Sequence, residues 1–264
     1  MLLPILMTAS VSTRGMKGAS YTDEEREKMY VDTLNYYLSQ LIEGEKIVFA
    51  ENSGWSYESI KAKIECTDTD KVEFISLNPD MFDIAKGKGY NELLLINMAI
   101  EKSLSIQQSG AFFKVTGRYP IKNLQYFLKK ASKMILQEGY EFYGDMKDHK
   151  LYEWLRTGWC GHSGEARLFG CNISYFREKL GCRYMELNDY EGRLVEGLLF
   201  DVMKSSLANG EKVSCRFNRE PIFSGFEGSI VNAITFTKNQ NSYKAKFKRF
   251  VGNAIRLFTP WFKF

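Results

Sequence analysis

The stretch that decides the fold is Ile5-Leu-Met-Thr-Ala-Ser-Val-Ser-Thr-Arg-Gly15. Ile5 to Val11 is a short, mostly apolar run that stops at small polar residues, as a strand buried on both faces does. The apolar start of the chain is far shorter than the roughly 20 residues a membrane-spanning helix needs, and no basic segment precedes it. It reads as a first, central strand. Thr22-Asp-Glu-Glu25 follows, an N-cap with acidic residues in a first helical turn. Met29, Tyr30, Thr33, Leu34, Tyr37, Leu38 and Leu41 then recur at helical spacing up to Gly44.

The alternation continues outward. Lys46–Ala50 reads as a second strand and Val72–Leu77 as a third. A helix is expected from Asn91 to Leu104, a fourth strand over Phe112–Val115, and a helix from Asn123 to Leu136. Strand and helix alternating in this way predict an α/β fold, a Rossmann-like, mostly parallel sheet flanked by helices. Ligands of such sheets bind where the loops leave the carboxyl ends of the strands. The second half shows a strand and turn at Glu141–Asp145, a strand over Ala166–Ile173, and a helix over Asp189–Met203. Trp154 to His162, with two tryptophans and several glycines, reads as a sugar-stacking loop or a plain connection.

A formal net charge of +4 over 264 residues is too small to indicate nucleic acid. The distribution is uneven, however. From Lys238 to Lys263 the chain carries seven Lys or Arg and neither Asp nor Glu. Phe247, Phe250, Val251, Ala254, Ile255 and Phe258 fall on one helical stripe, with Arg249 and other cations interspersed, before Trp261 and Phe262. This is the pattern of an interfacial amphipathic helix, and an anionic membrane surface is the expected partner; a helix packed on the protein body is the alternative. Five scattered cysteines without a CxxC pair and only two histidines argue against structural zinc and fit a reducing cytoplasm.

Four clusters carry candidate chemistry. Glu51-Asn52-Ser53-Gly54 ends the second strand with donors and acceptors suited to a base or ribose, or forms a simple turn. Lys86-Gly-Lys88-Gly89 opens the third helix and would favour a diphosphate, or is a solvated basic loop; it lacks the ending of a Walker loop. Lys114-Val-Thr116-Gly117-Arg118-Tyr119 ends the fourth strand with two cations. In the helix expected from Asp189, Glu191 falls on the apolar face as a desolvated candidate base, with Glu196 in reserve; an ion pair with Arg193 is the competing use of Glu191. Asp68-Thr-Asp70 precedes a strand, so it belongs to the edge of the sheet away from the ligand rim.

Three of these segments, ENSGW (51–55), GKGYNE (87–92) and KVTGRYPIKN (114–123), resemble in this order a family of short bacterial capsule and lipopolysaccharide biosynthesis proteins. Those look like glycosyltransferases with a compact GT-A-like core. The resemblance implies that Glu51, Asn52 and Ser53 touch a nucleotide and that Lys88 and Glu92 line the donor site. Ser10, Gly89, Lys114, Thr116, Gly117 and Tyr119 complete the expected donor-binding set. Arg118 stands where the family's metal-binding acidic pair normally sits. The implied activity is transfer of a sugar from a nucleotide sugar to a lipid-linked saccharide by a peripheral enzyme on the inner face of the cell membrane. Arg118 would neutralise the leaving phosphate and Glu191 or Glu196 would take the acceptor's proton. No cofactor is required, and a divalent metal, though left open, is not called for. Residues 1–240 would form one catalytic domain, its nucleotide half ending near 125 and its acceptor half following, with 241–264 as the membrane tail. A non-catalytic nucleotide-sugar-binding or scaffold subunit is the competing reading.

Overall fold

The computed structural model describes residues 2–17, 21–65, 69–148, 161–224 and 242–258. Its centre is a seven-stranded sheet. In chain order the strands are β1 (Ile5–Ala9), β2 (Ile47–Glu51), β3 (Val72–Ser76), β4 (Ala111–Thr116), β5 (Phe142–Tyr143), β8 (Leu168–Asn172) and β9 (Val213–Ser214). Between β5 and β8 lies a separate ribbon of β6 (Met146–Asp148) and β7 (His162–Gly164). The sheet order is β3-β2-β1-β4-β8-β5-β9. β1, β2, β3 and β4 are mutually parallel, β8 runs antiparallel to β4 and β5, and β9 is parallel to β5. The result is the α/β class expected from the sequence.

All five residues of β1 and of β2 are buried, which explains why these strands show no polar alternation. Their side chains still divide between the faces with period two. Leu6, Val48 and Phe112 enter one core with helices α3 (Lys88–Lys102) and α7 (Val195–Ala208). Ile5, Met7, Phe49, Phe113 and Val115 enter the other with α1 (Asp23–Leu38) and α5 (Leu124–Ser132). Short helices α2 (Tyr57–Lys61), α4 (Leu104–Ser109) and α6 (Ile173–Phe176) complete the layers, and α8 (Tyr243–Phe258) follows them. α1 starts at the expected place: the Thr22 hydroxyl accepts from the Glu25 amide while the Glu25 carboxylate accepts from the Thr22 amide.

Two expectations are corrected. The third helix begins at Lys88, a turn earlier than Asn91. The helix expected from Asp189 does not begin there: Asp189–Glu191 is a single tight turn ended by Gly192 at φ 78°, and α7 starts at Val195. A left-handed residue cannot continue a helix, so Glu191 never shares the apolar face of Leu198 and Val202.

α8 lies on the body with only Gly252 and Arg256 buried. The Arg256 guanidinium donates to both carboxylate oxygens of Asp145 at 3.0 Å and to the Phe217 carbonyl at 3.0 Å. Asn253 accepts from the Glu220 amide at 2.9 Å. Phe247, Phe250 and Phe258 face outward, each more than two-thirds exposed. Among the described residues no helix is long and apolar enough to cross a membrane. Trp261 and Phe262 lie outside the described residues, as do Trp154 and its neighbours up to Cys160.

Candidate active site

The chain leaves β1 towards β2 on one side and reaches β4 on the other, so the strand order reverses between β1 and β4. A crevice opens at such a reversal, outside the carboxyl ends of the strands. Here it has a volume of about 550 Å³, within the usual range for small-ligand sites. Its walls come from the ends of β1, β2 and β4, the start of α3, the segment 189–196, and the turn leading into β8.

The β1 and β2 ends are locked to one another. Ser10 Oγ donates to Asn52 Oδ1 at 2.5 Å, and Ser53 Oγ accepts from the Ser12 amide at 2.8 Å. Beneath them Glu51, wholly buried, accepts from the amides of Val11 at 3.1 Å, Ser53 at 2.9 Å and Gly54 at 3.1 Å. Ser10, Asn52 and Ser53 line the crevice and Glu51 does not. The expected contact of Glu51 with a nucleotide is therefore corrected: its carboxylate is used up holding the two loops in register.

Arg26 and Tyr30, one turn apart on α1, reach over the same loop. Arg26 Nε donates to the carbonyl oxygens of Val11 at 2.8 Å and Ser10 at 3.1 Å, and the Tyr30 hydroxyl accepts from the Ser10 amide at 2.9 Å. Both line the crevice. Sequence reasoning missed them, although their four-residue spacing beside the buried Leu34 and Tyr37 was a usable signal.

Arg118 reaches the crevice from the end of β4, and its Nη1 is buried without a hydrogen-bond partner among the described residues. Lys88 stands across from it. Burial, then the Arg118 and Arg26 guanidiniums, hold the Lys88 ammonium below its ordinary range. Arg26 is lowered by burial and by Arg118. Three mutually repelling cations around an unpaired buried N–H form a site that an anion would relieve.

The opening of α3 differs from expectation. Its first amides do not await a phosphate, because Asp189 accepts from the Lys88 amide at 2.6 Å and the Gly89 amide at 3.1 Å. The glycines are explained by the same carboxylate. A Cβ on Gly87 would lie 2.6 Å from Asp189 Cβ, and one on Gly89 would lie 2.9 Å from Asp189 Oδ1.

Lys114 is fully buried and lies below the crevice floor rather than in its wall. Its Nζ contacts Glu92 Oε1 at 2.6 Å, donates to the Ala166 carbonyl at 2.6 Å, and lies 3.1 Å from Thr116 Oγ1. Thr8 Oγ1 also donates to Glu92 Oε1, at 3.0 Å. Glu92, Thr116 and Tyr119 line the crevice. Gly117 does not; its amide donates to the Thr8 carbonyl at 3.1 Å, tying β4 to β1.

Glu191 is corrected as a site residue on geometry. Its exposed carboxylate pairs with Arg193, and it is absent from the crevice wall. Glu196, the reserve, opens onto the crevice. Crowding by its surroundings raises its pKa, first by desolvation and then through the carboxylates of Glu92, Asp189 and Glu165.

The end of β4 carries no carboxylate that could ligate a divalent metal. Thr116-Gly117-Arg118-Tyr119 offers a guanidinium there and no carboxylate. Among the described residues no group of three or more His, Cys, Asp or Glu is gathered for a metal. Asp70 lies in the turn before β3, at the far edge of the sheet; Asp68 is outside the described residues.

Fold and site together define an α/β protein with a polar, cation-lined crevice at a strand-order reversal. No family model and no curated protein sequence matches the chain. It is similar to solved structures at low identity. The galactosyltransferase LgtC, in an active-site mutant form, matches at 12% identity and TM-score 0.48, covering 97% of each chain. CMP:2-keto-3-deoxy-manno-octonic acid synthetase complexed with CTP matches at 8% identity and TM-score 0.45, covering 81% of this chain and 89% of that one. Mouse xyloside xylosyltransferase, in its apo form, matches at 10% identity and TM-score 0.44, covering 81% and 84%.

Proposed function

We propose that the chain is a glycosyltransferase that takes a sugar from a nucleotide-sugar donor. The observation that carries this reading is the buried, unpaired Nη1 of Arg118 beside Arg26 and Lys88 in the β1–β4 crevice. A nucleoside diphosphate has the matching chemistry: anionic oxygens for the cations, and a base and ribose for the hydroxyl and amide groups of Ser10, Asn52 and Ser53. With a guanidinium at the end of β4, the charge on the departing phosphate is neutralised by protein cations, without a step through a metal. Glu196 takes the acceptor's proton.

The acceptor is a lipid-linked saccharide of bacterial capsule or lipopolysaccharide assembly, met at the inner face of the cell membrane. What supports this is α8, which turns three phenylalanines outward amid cations. The donor half is residues 1–125 and the acceptor half 126–240, with 241–264 the membrane-associating tail. A thermal-shift screen of the purified protein against nucleotide sugars and free nucleotides, with and without EDTA, tests the reading. Stabilisation by one nucleotide family that survives EDTA is expected. Stabilisation lost with EDTA restores a metal, and stabilisation without turnover supports a non-catalytic nucleotide-sugar-binding or scaffold subunit.

A further inference from the structure

Three carboxylates line the crevice among the described residues: Glu92, Asp189 and Glu196. Asp189 is committed to the amides of α3. The other two are treated in opposite ways by their surroundings. Glu92 Oε1 takes both the fully buried ammonium of Lys114 and the Thr8 hydroxyl, and among the described residues no hydrogen bond or ion pair reaches Oε2. The Lys114 ammonium and the Thr8 hydroxyl thereby hold the Glu92 carboxylate in place on the crevice wall. Glu196 makes no salt bridge among the described residues and is crowded by the carboxylates of Glu92, Asp189 and Glu165. A carboxylate anchored through one oxygen, beside a second that is crowded by like charge, has the arrangement of a nucleophile and its proton-transferring partner.

Their placement supplies the second half of the argument. The cations Arg26, Lys88 and Arg118 gather around the space for the leaving phosphate. Glu92 stands on the floor with Ala166 and Val195, over the small void that also touches Lys114. Glu92 lines the same crevice as the three cations, so a sugar bonded to a phosphate held among them shares its space with the Glu92 carboxylate. Displacement needs the attacking oxygen on the side away from the departing one.

We propose that Glu92 is the nucleophile of a double displacement, so that the sugar is transferred with retention of anomeric configuration. Glu92 Oε2 forms a bond to the anomeric carbon as the bond from that carbon to the phosphate oxygen breaks, and the electron pair leaves on the nucleoside diphosphate. The acceptor hydroxyl then gives its proton to Glu196 while its oxygen bonds to the same carbon, and the carbon–Glu92 bond breaks with its electrons returning to the carboxylate. Two inversions leave the original configuration. The inference rests on the nucleotide-sugar reading above.

The test uses the full chain with α-linked UDP-, GDP- and dTDP-hexoses and water as acceptor. The released sugar is read by proton NMR before it mutarotates, and the quenched protein by intact mass. Release of the α-anomer is expected, with a hexosyl adduct on Glu92 accumulating in Glu196→Gln. Glu92→Gln should lower turnover by about 1,000-fold while nucleotide affinity stays within about threefold. Because that variant leaves Lys114 buried and unpaired, Glu92→Gln with Lys114→Met serves as the folded control and should lose turnover equally. Release of the β-anomer, or turnover within about tenfold of wild type in either variant, overturns the proposal. If no hexose nucleotide raises the melting temperature of the wild-type protein, the nucleotide-sugar reading itself fails and takes this inference with it.

Discussion

Asp189 closes the amino end of a helix that begins a hundred residues before it, its carboxylate 2.6 Å from the Lys88 amide. The contact joins the second half of the chain to the wall of the crevice and fixes where the Lys88 side chain starts. It also dictates the glycines around it. Gly87 sits at φ 88°, where a side chain is strained, and its Cβ would overlap Asp189. Gly87→Ala should therefore cost about 2 kcal/mol or more, measured by urea unfolding. Gly89→Ala should cost less, and its cost should shrink in an Asp189→Ala background, because Asp189 Oδ1 is the nearest obstacle. Equal cost in both backgrounds would contradict this account.

Arg118→Ala should reduce turnover of the cognate nucleotide sugar by about 100-fold or more. Its effect on stability should be small or favourable, since it removes a buried N–H that none of the described residues satisfies. A melting temperature preserved beside full turnover would remove Arg118 from the phosphate site.

The pH dependence follows from Glu196. Its carboxyl is raised by desolvation and then by Glu92, Asp189 and Glu165, so it holds its proton to higher pH than a free glutamate. A base must be deprotonated, so kcat/KM should fall as pH drops through this raised value, with the acid limb above the ordinary glutamate pKa of about 4.3. Asp189→Asn removes one neighbouring negative charge and should move that limb to lower pH. Glu196→Gln should abolish the limb together with most of the rate.

The tail makes two separable predictions. Arg256→Met leaves Asp145 buried without its cation and should cost about 3 kcal/mol, with amide exchange in Tyr243–Phe258 rising first. Phe247→Ser and Phe250→Ser touch only exposed positions. Each should weaken binding to phosphatidylserine vesicles by about tenfold, leaving the thermal stability of the body unchanged. Unchanged vesicle binding in both would take the membrane away from α8.

The four parallel strands were legible because burial on both faces writes itself as short apolar runs, as in Ile47–Ala50. Thr22 and Glu25 announced α1 in the same local way. Ser10, Asn52, Ser53, Lys88, Glu92 and Arg118 were found as a group since each follows a strand or opens a helix. What failed was non-local. Nothing near Glu51 shows that the Val11 amide, 40 residues before it, will take up its carboxylate. Nothing near Gly87 shows that Asp189 will arrive. Glu191 was misplaced because the expected helix ran from Asp189 straight through Gly192, where the backbone stops. The outward face of α8 was visible as a stripe, but its attachment through Arg256 needed Asp145 from the other end of the fold.

β8 runs against β4, so the turn that feeds it, rather than the one that leaves it, supplies Ala166 and Arg167 to the crevice. That turn is bounded directly by Gly164 on the ribbon and Leu168 in the sheet. Adding or removing a single residue there would slip β8 by one position and exchange its core and opposite faces, sending Phe169 to the other side. Lineages derived from this chain can thus change the rim above β2 by insertion, yet must change the floor beside Glu92 by substitution alone.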